Sequence, residues 1–197
     1  WNSYSFFATY ASVDGYDPNK NKVNYIDFSI MDKWIISKLN VFIRDCNSSL
    51  EQFRSDIMMR KFDLFLDDLS NWYIRRSRRR FWKSEDDLDK QTAYQVLYEC
   101  LTTVIKLISP VLPFVTEEIY QNLVKNIDSD EHESIHLCDY PSSDLKKIDI
   151  ELMKNIDSLR RVVELGRSAR NKAKIKIRQP LSELHFHVTD RKVANFI

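Results

Sequence analysis

The sequence predicts an all-α protein, a helical bundle that ends in one short strand. Three observations carry this. Only two glycines, Gly15 and Gly166, occur in 197 residues, which argues against sheet folds with many tight turns and against any glycine-rich phosphate loop. Apolar residues recur at steps of three and four through most of the chain, the period of an amphipathic helix. Alternation of the strand type is confined to Leu181–Val188, LSELHFHV. A hydrophobic content of 43% is enough to bury a core.

The opening WNSYSFFATY, Trp1 to Tyr10, is aromatic and too short to fold alone, so it reads as the end of a helix packed on the bundle. Gly15, Pro18 and several Asn and Asp residues make Ser12–Ser29 a connecting loop. A second helix starts near Met31, with Asp32 as candidate N-cap and Ile35, Leu39, Phe42, Ile43, Cys46, Leu50 and Phe53 facing inward. Cys46 is then a small buried hydrophobe, not a reactive thiol.

A third helix spans about Met58 to Trp82, with Phe62, Phe65, Leu66, Leu69, Trp72 and Tyr73 at helical steps. Its last turns become cationic, six of the nine residues from Arg75 to Lys83 being basic. At 100° per residue, Arg76 and Arg80 continue the apolar line. Arg75, Arg78, Arg79 and Trp82 then share the outer face. Like charges three or four apart cost roughly 0.2–0.5 kcal/mol per pair, and the macrodipole at a helix C-terminus offsets part of that. Guanidiniums beside an exposed indole suit a nucleic-acid backbone and an unstacked base. The competing reading is an adaptor whose basic faces meet acidic protein partners.

Ser84, with acids at Glu85, Asp86 and Asp87, signals a fourth helix carrying Tyr94, Leu97, Leu101, Val104, Ile105 and Ile108, which Pro110 ends. A two-proline corner leads into a fifth helix with Ile119, Tyr120 and Leu123 inward. Glu117 and Glu118 suit its first turn better than catalysis, because adjacent helical residues point apart. Ile127–Ser143 is polar loop; His132, His136 and Cys138 match no tetrahedral metal spacing. A last helix runs from about Lys147 to Asn171. Arg160 to Arg178 holds eight basic residues against Glu164, and Arg170, Lys172, Lys174 and Lys176 make a second candidate RNA-binding group. His185 and His187 read as a solvent-facing pair.

Net charge is only +1, so any polyanion site must be local. Three widely spaced cysteines fit a reducing compartment, the cytoplasm, better than a disulfide framework. No run of 18 apolar residues occurs and no signal segment opens the chain, so no membrane role is expected. A first residue other than Met suggests an excised piece of a larger polypeptide, divided into a bundle at 1–145 and a linking helix with the start of a C-terminal subdomain at 146–197. No nucleophile, metal or phosphate-loop constellation points to an independent enzyme.

The stretch LSNWYIRRSRRRFW resembles the corresponding segment of isoleucyl-tRNA synthetases. WNSYSFFATY, MDKWIISKLN, SPVLPFVTEEIYQNL and ELGRSARNKAKIKIRQPL resemble further segments of the same family in the same order. The proline corner is shared with valyl and leucyl enzymes; the arginine and RQPL segments favour isoleucine. This resemblance implies the class I synthetase anticodon-binding helical bundle, a tRNA partner, and a monomeric parent enzyme that uses ATP and magnesium to join isoleucine to tRNA. The family's HIGH and KMSKS signatures are absent from these residues, so the resemblance implies no catalytic residue and no cofactor here. It leaves Arg75, Arg78, Arg79, Trp82, Lys83 and the basic group around Arg170 as RNA-contact candidates.

Overall fold

The computed structural model describes residues 1–20, 22–82 and 87–187. Seven α-helices account for most of them: α1 Asn2–Asp14, α2 Ile30–Glu51, α3 Ser55–Asp67, α4 Arg75–Trp82, α5 Leu88–Ile108, α6 Pro113–Tyr120 and α7 Ile150–Lys172. Contacts divide the chain into two units, Trp1–Ile148 and Asp149–Ile197.

In the first unit α2 and α5 form the centre. Trp34, Ile35 and Ile36 are successive and all fully buried. Successive side chains point about 100° apart, so α2 is enclosed on all sides there. Each such side chain contributes roughly 1.5–3 kcal/mol. Ala93, Val96, Leu97, Cys100 and Leu107 are likewise fully buried, along one face of α5. Burial pushes the Cys46 thiol up to about 12 and raises that of Cys100, so both are inert hydrophobes.

α1 ends where Gly15 takes φ 63° and its amide reaches Ala11, a conformation glycine adopts without steric cost. Phe7 anchors α1 between the rings of Tyr94 and Tyr98. The following loop is held to α5 by the Gln95 amide, which accepts from the Val23 N–H at 2.7 Å and donates to the Val23 carbonyl at 3.1 Å.

α2 begins with a capping box rather than at Asp32. The Ser29 hydroxyl accepts the Asp32 amide while the Asp32 carboxylate accepts the Ser29 amide. The helix stops at Glu51, so Phe53 does not face the core as the spacing suggested. It lies in the turn to α3 with φ 55° and is 94% exposed.

α3 and α4 are one rod interrupted by a π-helical segment, Asp68–Ile74. Its inward residues step by four: Phe65, Leu69, Tyr73, Ser77 and Phe81 are all buried. On an unbroken α-helix Ser77 and Phe81 would stand about 120° and 160° round from Phe65. One extra residue absorbed in the wider turn takes back about 100° and restores them to the same face. α5 then opens with Asp87 as N-cap, accepting the Lys90 amide at 2.8 Å; the Ser84 cap expected from the sequence lies outside the described residues.

Pro113 occupies the first turn of α6, where its missing N–H costs nothing. Glu117 is structural: it accepts from Gln121, Ser134 and the Ile135 amide, holding a 3-10 turn at Ile135–Leu137. Partial desolvation would raise its pKa, but these bonds outweigh that and bring it below the usual range. The chain then returns along α2. Asn47 donates to the Pro141 carbonyl, the Asn40 carbonyl accepts Ser143 Oγ and its side-chain oxygen the Asp144 amide, and Ser37 donates to the Lys147 carbonyl.

In the second unit Asp149 caps α7 by accepting the Leu152 amide, and the chain after α7 folds back so that Leu184 reaches Gly166. The strand expected at Leu181–Val188 is not formed. A strand needs a neighbour to satisfy its backbone; residues 181–187 have none among the described residues and are irregular and exposed, and Val188 lies outside them. His185 and His187 are exposed, with His185 2.7 Å from Glu183.

Candidate nucleic-acid interface

α4 sorts its arginines by face. Arg75, Arg76, Arg78 and Arg79 are exposed, and no described carboxylate forms an ion pair with any of them. Arg80 alone turns inward. Its guanidinium donates to both carboxylate oxygens of Asp32 at 2.7 and 2.9 Å and to the Asp89 carbonyl at 3.0 Å. Its Nε lies 2.8 Å from Asp89 Oδ1, close enough for an ion pair although poorly aligned for a hydrogen bond.

Asp32 is fully buried and also accepts the Tyr73 hydroxyl at 2.6 Å and the Ser29 hydroxyl at 2.6 Å. Burial by itself would raise its pKa; Arg80, Ser29 and Tyr73 outweigh that and hold it below the usual carboxylate range. The ion pair therefore fixes the rotation of α4 against α2, and with it which guanidiniums face out. Arg76 departs from the expectation that it continues the core line, because the π segment moves that line to Tyr73, Ser77 and Phe81.

The outer face is flanked by rings. The Arg78 guanidinium lies 5.8 Å from the centre of the Phe6 ring. Phe6 in turn meets Phe81 edge-on at 5.2 Å. Trp82 is 56% exposed, and its Nε1–H donates to the Tyr10 hydroxyl at 2.7 Å, so α1 pins the indole while leaving over half its surface in solvent. Lys83 lies outside the described residues.

The second candidate group sits in the other unit. Lys172, Lys174 and Lys176 are exposed, Lys174 in a left-handed turn at φ 54°. Arg170 is engaged internally, donating to the Lys176 and Gln179 carbonyls at 3.0 and 2.7 Å and closing the turn that presents those lysines. Asp32, Tyr10 and Phe6 were not identified as site-shaping from the sequence. The S-x-x-D spacing of Ser29 and Asp32 was a visible signal for a capping box, but nothing local pairs Asp32 with Arg80, 48 residues away. Among the described residues no cluster of His, Cys, Asp and Glu suits a metal ion, and no helix is long and apolar enough to cross a membrane.

A helical bundle that carries a bare arginine face is the kind of scaffold that meets RNA backbones. A sequence profile described as the anticodon-binding domain of tRNA ligase matches residues 32–185, and the chain belongs to that family. Its similarity extends to isoleucine–tRNA ligases. It is 48% identical over 184 residues to that of Clostridium novyi (strain NT), 47% over 186 to that of Dehalococcoides mccartyi (strain CBDB1), and 46% over 184 to that of Clostridium tetani (strain Massachusetts / E88). Each alignment covers 93% of this chain and 18% of the relative.

Proposed function

We propose that this chain docks the anticodon stem-loop of an isoleucine tRNA on behalf of an isoleucine–tRNA ligase, with the α4 face as its principal contact. The observation that carries this is the set of four outward guanidiniums, Arg75, Arg76, Arg78 and Arg79, without described carboxylate partners on a helix locked by Asp32 and Arg80. Phosphates neutralise such cations at little desolvation cost, and the bidentate geometry of guanidinium suits them. Trp82 supplies a stacking surface, and Lys172, Lys174 and Lys176 a second cationic contact. The chain contributes recognition and no chemistry; ligation with ATP and magnesium falls to the rest of such an enzyme, a cytoplasmic monomer of which this chain is one part.

Titration of the tRNA against salt tests the reading. Affinity should fall steeply with salt, by roughly 0.7–0.9 logarithmic units per tenfold for each phosphate neutralised. Replacing any one of the four outward arginines by alanine should weaken binding and reduce that slope by about one phosphate equivalent, with little change in melting temperature. Salt-insensitive binding, or slopes unchanged by all four replacements, would reject this face.

A further inference from the structure

Beside the arginine face, α1 and the α3–α4 rod leave a concave site of about 320 Å³. Trp1 and Phe6 line it from the N-terminal segment, and Ser70, Asn71, Ile74 and Arg78 from the rod. The site is built across the π segment: Ser70, Asn71 and Ile74 all belong to it. Ser70 shares a 3.0 Å hydrogen bond with Ser3 of α1, which ties the two walls together. Asn71 gives one amide hydrogen to Asp67 at 2.7 Å and is exposed.

These features combine three chemistries. The exposed Trp1 ring offers a face to a π-system, the Asn71 amide offers directional hydrogen bonds, and the exposed Arg78 guanidinium, over the Phe6 ring, offers a cation to a phosphate. The volume falls at the small end of the roughly 300–1,000 Å³ range of small-ligand sites, which suits a single base. A base inside a duplex is stacked on its neighbours, whereas one from a loop or bulge can be splayed out onto aromatic side chains.

We propose that this hollow receives one unpaired nucleobase of the tRNA docked on α4. Trp1 supplies the stacking surface, Asn71 reads the base edge, and Arg78, steadied by the Phe6 ring, holds the flanking phosphate. The inference rests on the tRNA-binding reading and adds a base-reading subsite to its phosphate contacts.

Asn71→Ala separates the two. The side chain is exposed, so the melting temperature should hold. Affinity of the 197-residue chain for an isoleucine tRNA transcript should fall about fivefold, as expected for one hydrogen bond to a base, and the salt slope should stay unchanged because no phosphate contact is lost. In a second arm each unpaired nucleotide of the transcript is made abasic in turn. One position should weaken binding by the wild-type chain and have a smaller effect on Asn71→Ala. Wild-type affinity in Asn71→Ala, a changed salt slope, or an abasic penalty equal in both proteins would overturn the subsite while leaving the arginine face standing. A wild-type chain that binds no tRNA would reject both.

Discussion

Asp32 ties the start of α2 to the π segment and to α4. It completes the capping box of α2 with Ser29, accepts the Tyr73 hydroxyl and holds Arg80, all from full burial. Asp32→Asn keeps the shape but leaves the Arg80 guanidinium under-compensated, with only Asp89 beside it. The expected cost is about 3 kcal/mol by urea unfolding, at the lower end for a broken buried ion pair. Adding Arg80→Met should recover part of it. The pH dependence follows from the depressed folded-state value of Asp32: as pH falls the unfolded chain takes this proton first. The contribution is complete above the ordinary aspartate value near pH 4 and is lost below it, through the folded value. That acid limb should be shallower in Asp32→Asn. A cost below about 1 kcal/mol would mean that the pair does not set the rotation of α4.

At the level of elements, the helices were legible because their apolar steps are long and regular, and Pro110 and Pro113 mark a corner without ambiguity. The arginine faces were only partly legible. A projection at 100° per residue assumes an unbroken helix, and nothing in DLSNWYI announces the π segment. Arg80 was placed correctly and Arg76 was not. Phe53 misled for a related reason, since helical spacing says nothing about where the helix stops. The π segment also makes a prediction. Because it absorbs one surplus residue, deleting the exposed Asn71 should convert the rod to continuous α-helix with Ser77 and Phe81 still inward. Deleting exposed Arg44 from the regular α2 instead swings Cys46 and Ser49 off the core. Unfolding midpoints should show a loss of about 1 kcal/mol or less for the first deletion and several for the second, on the scale of displaced buried side chains. Equal losses would refute this account of the π segment.

For the whole molecule, the basic content said little, since a net charge of +1 hides two cationic regions. What the sequence could not show was the return of residues 141–147 along α2, because those bonds join groups about a hundred positions apart. This return has a kinetic meaning. Closing so long a loop is entropically unfavourable until α2 and α5 have already docked, which predicts that the strap fastens after the rate-limiting barrier to folding. Interactions made that late govern how fast the native state opens, not how fast it forms. Ser37→Ala and Asn40→Ala should therefore speed unfolding in stopped-flow measurements and leave refolding nearly unchanged; slowed refolding would place the strap in the nucleus. On the expected outcome the residues from Pro141 to Lys147 are a latch on the lifetime of the folded state.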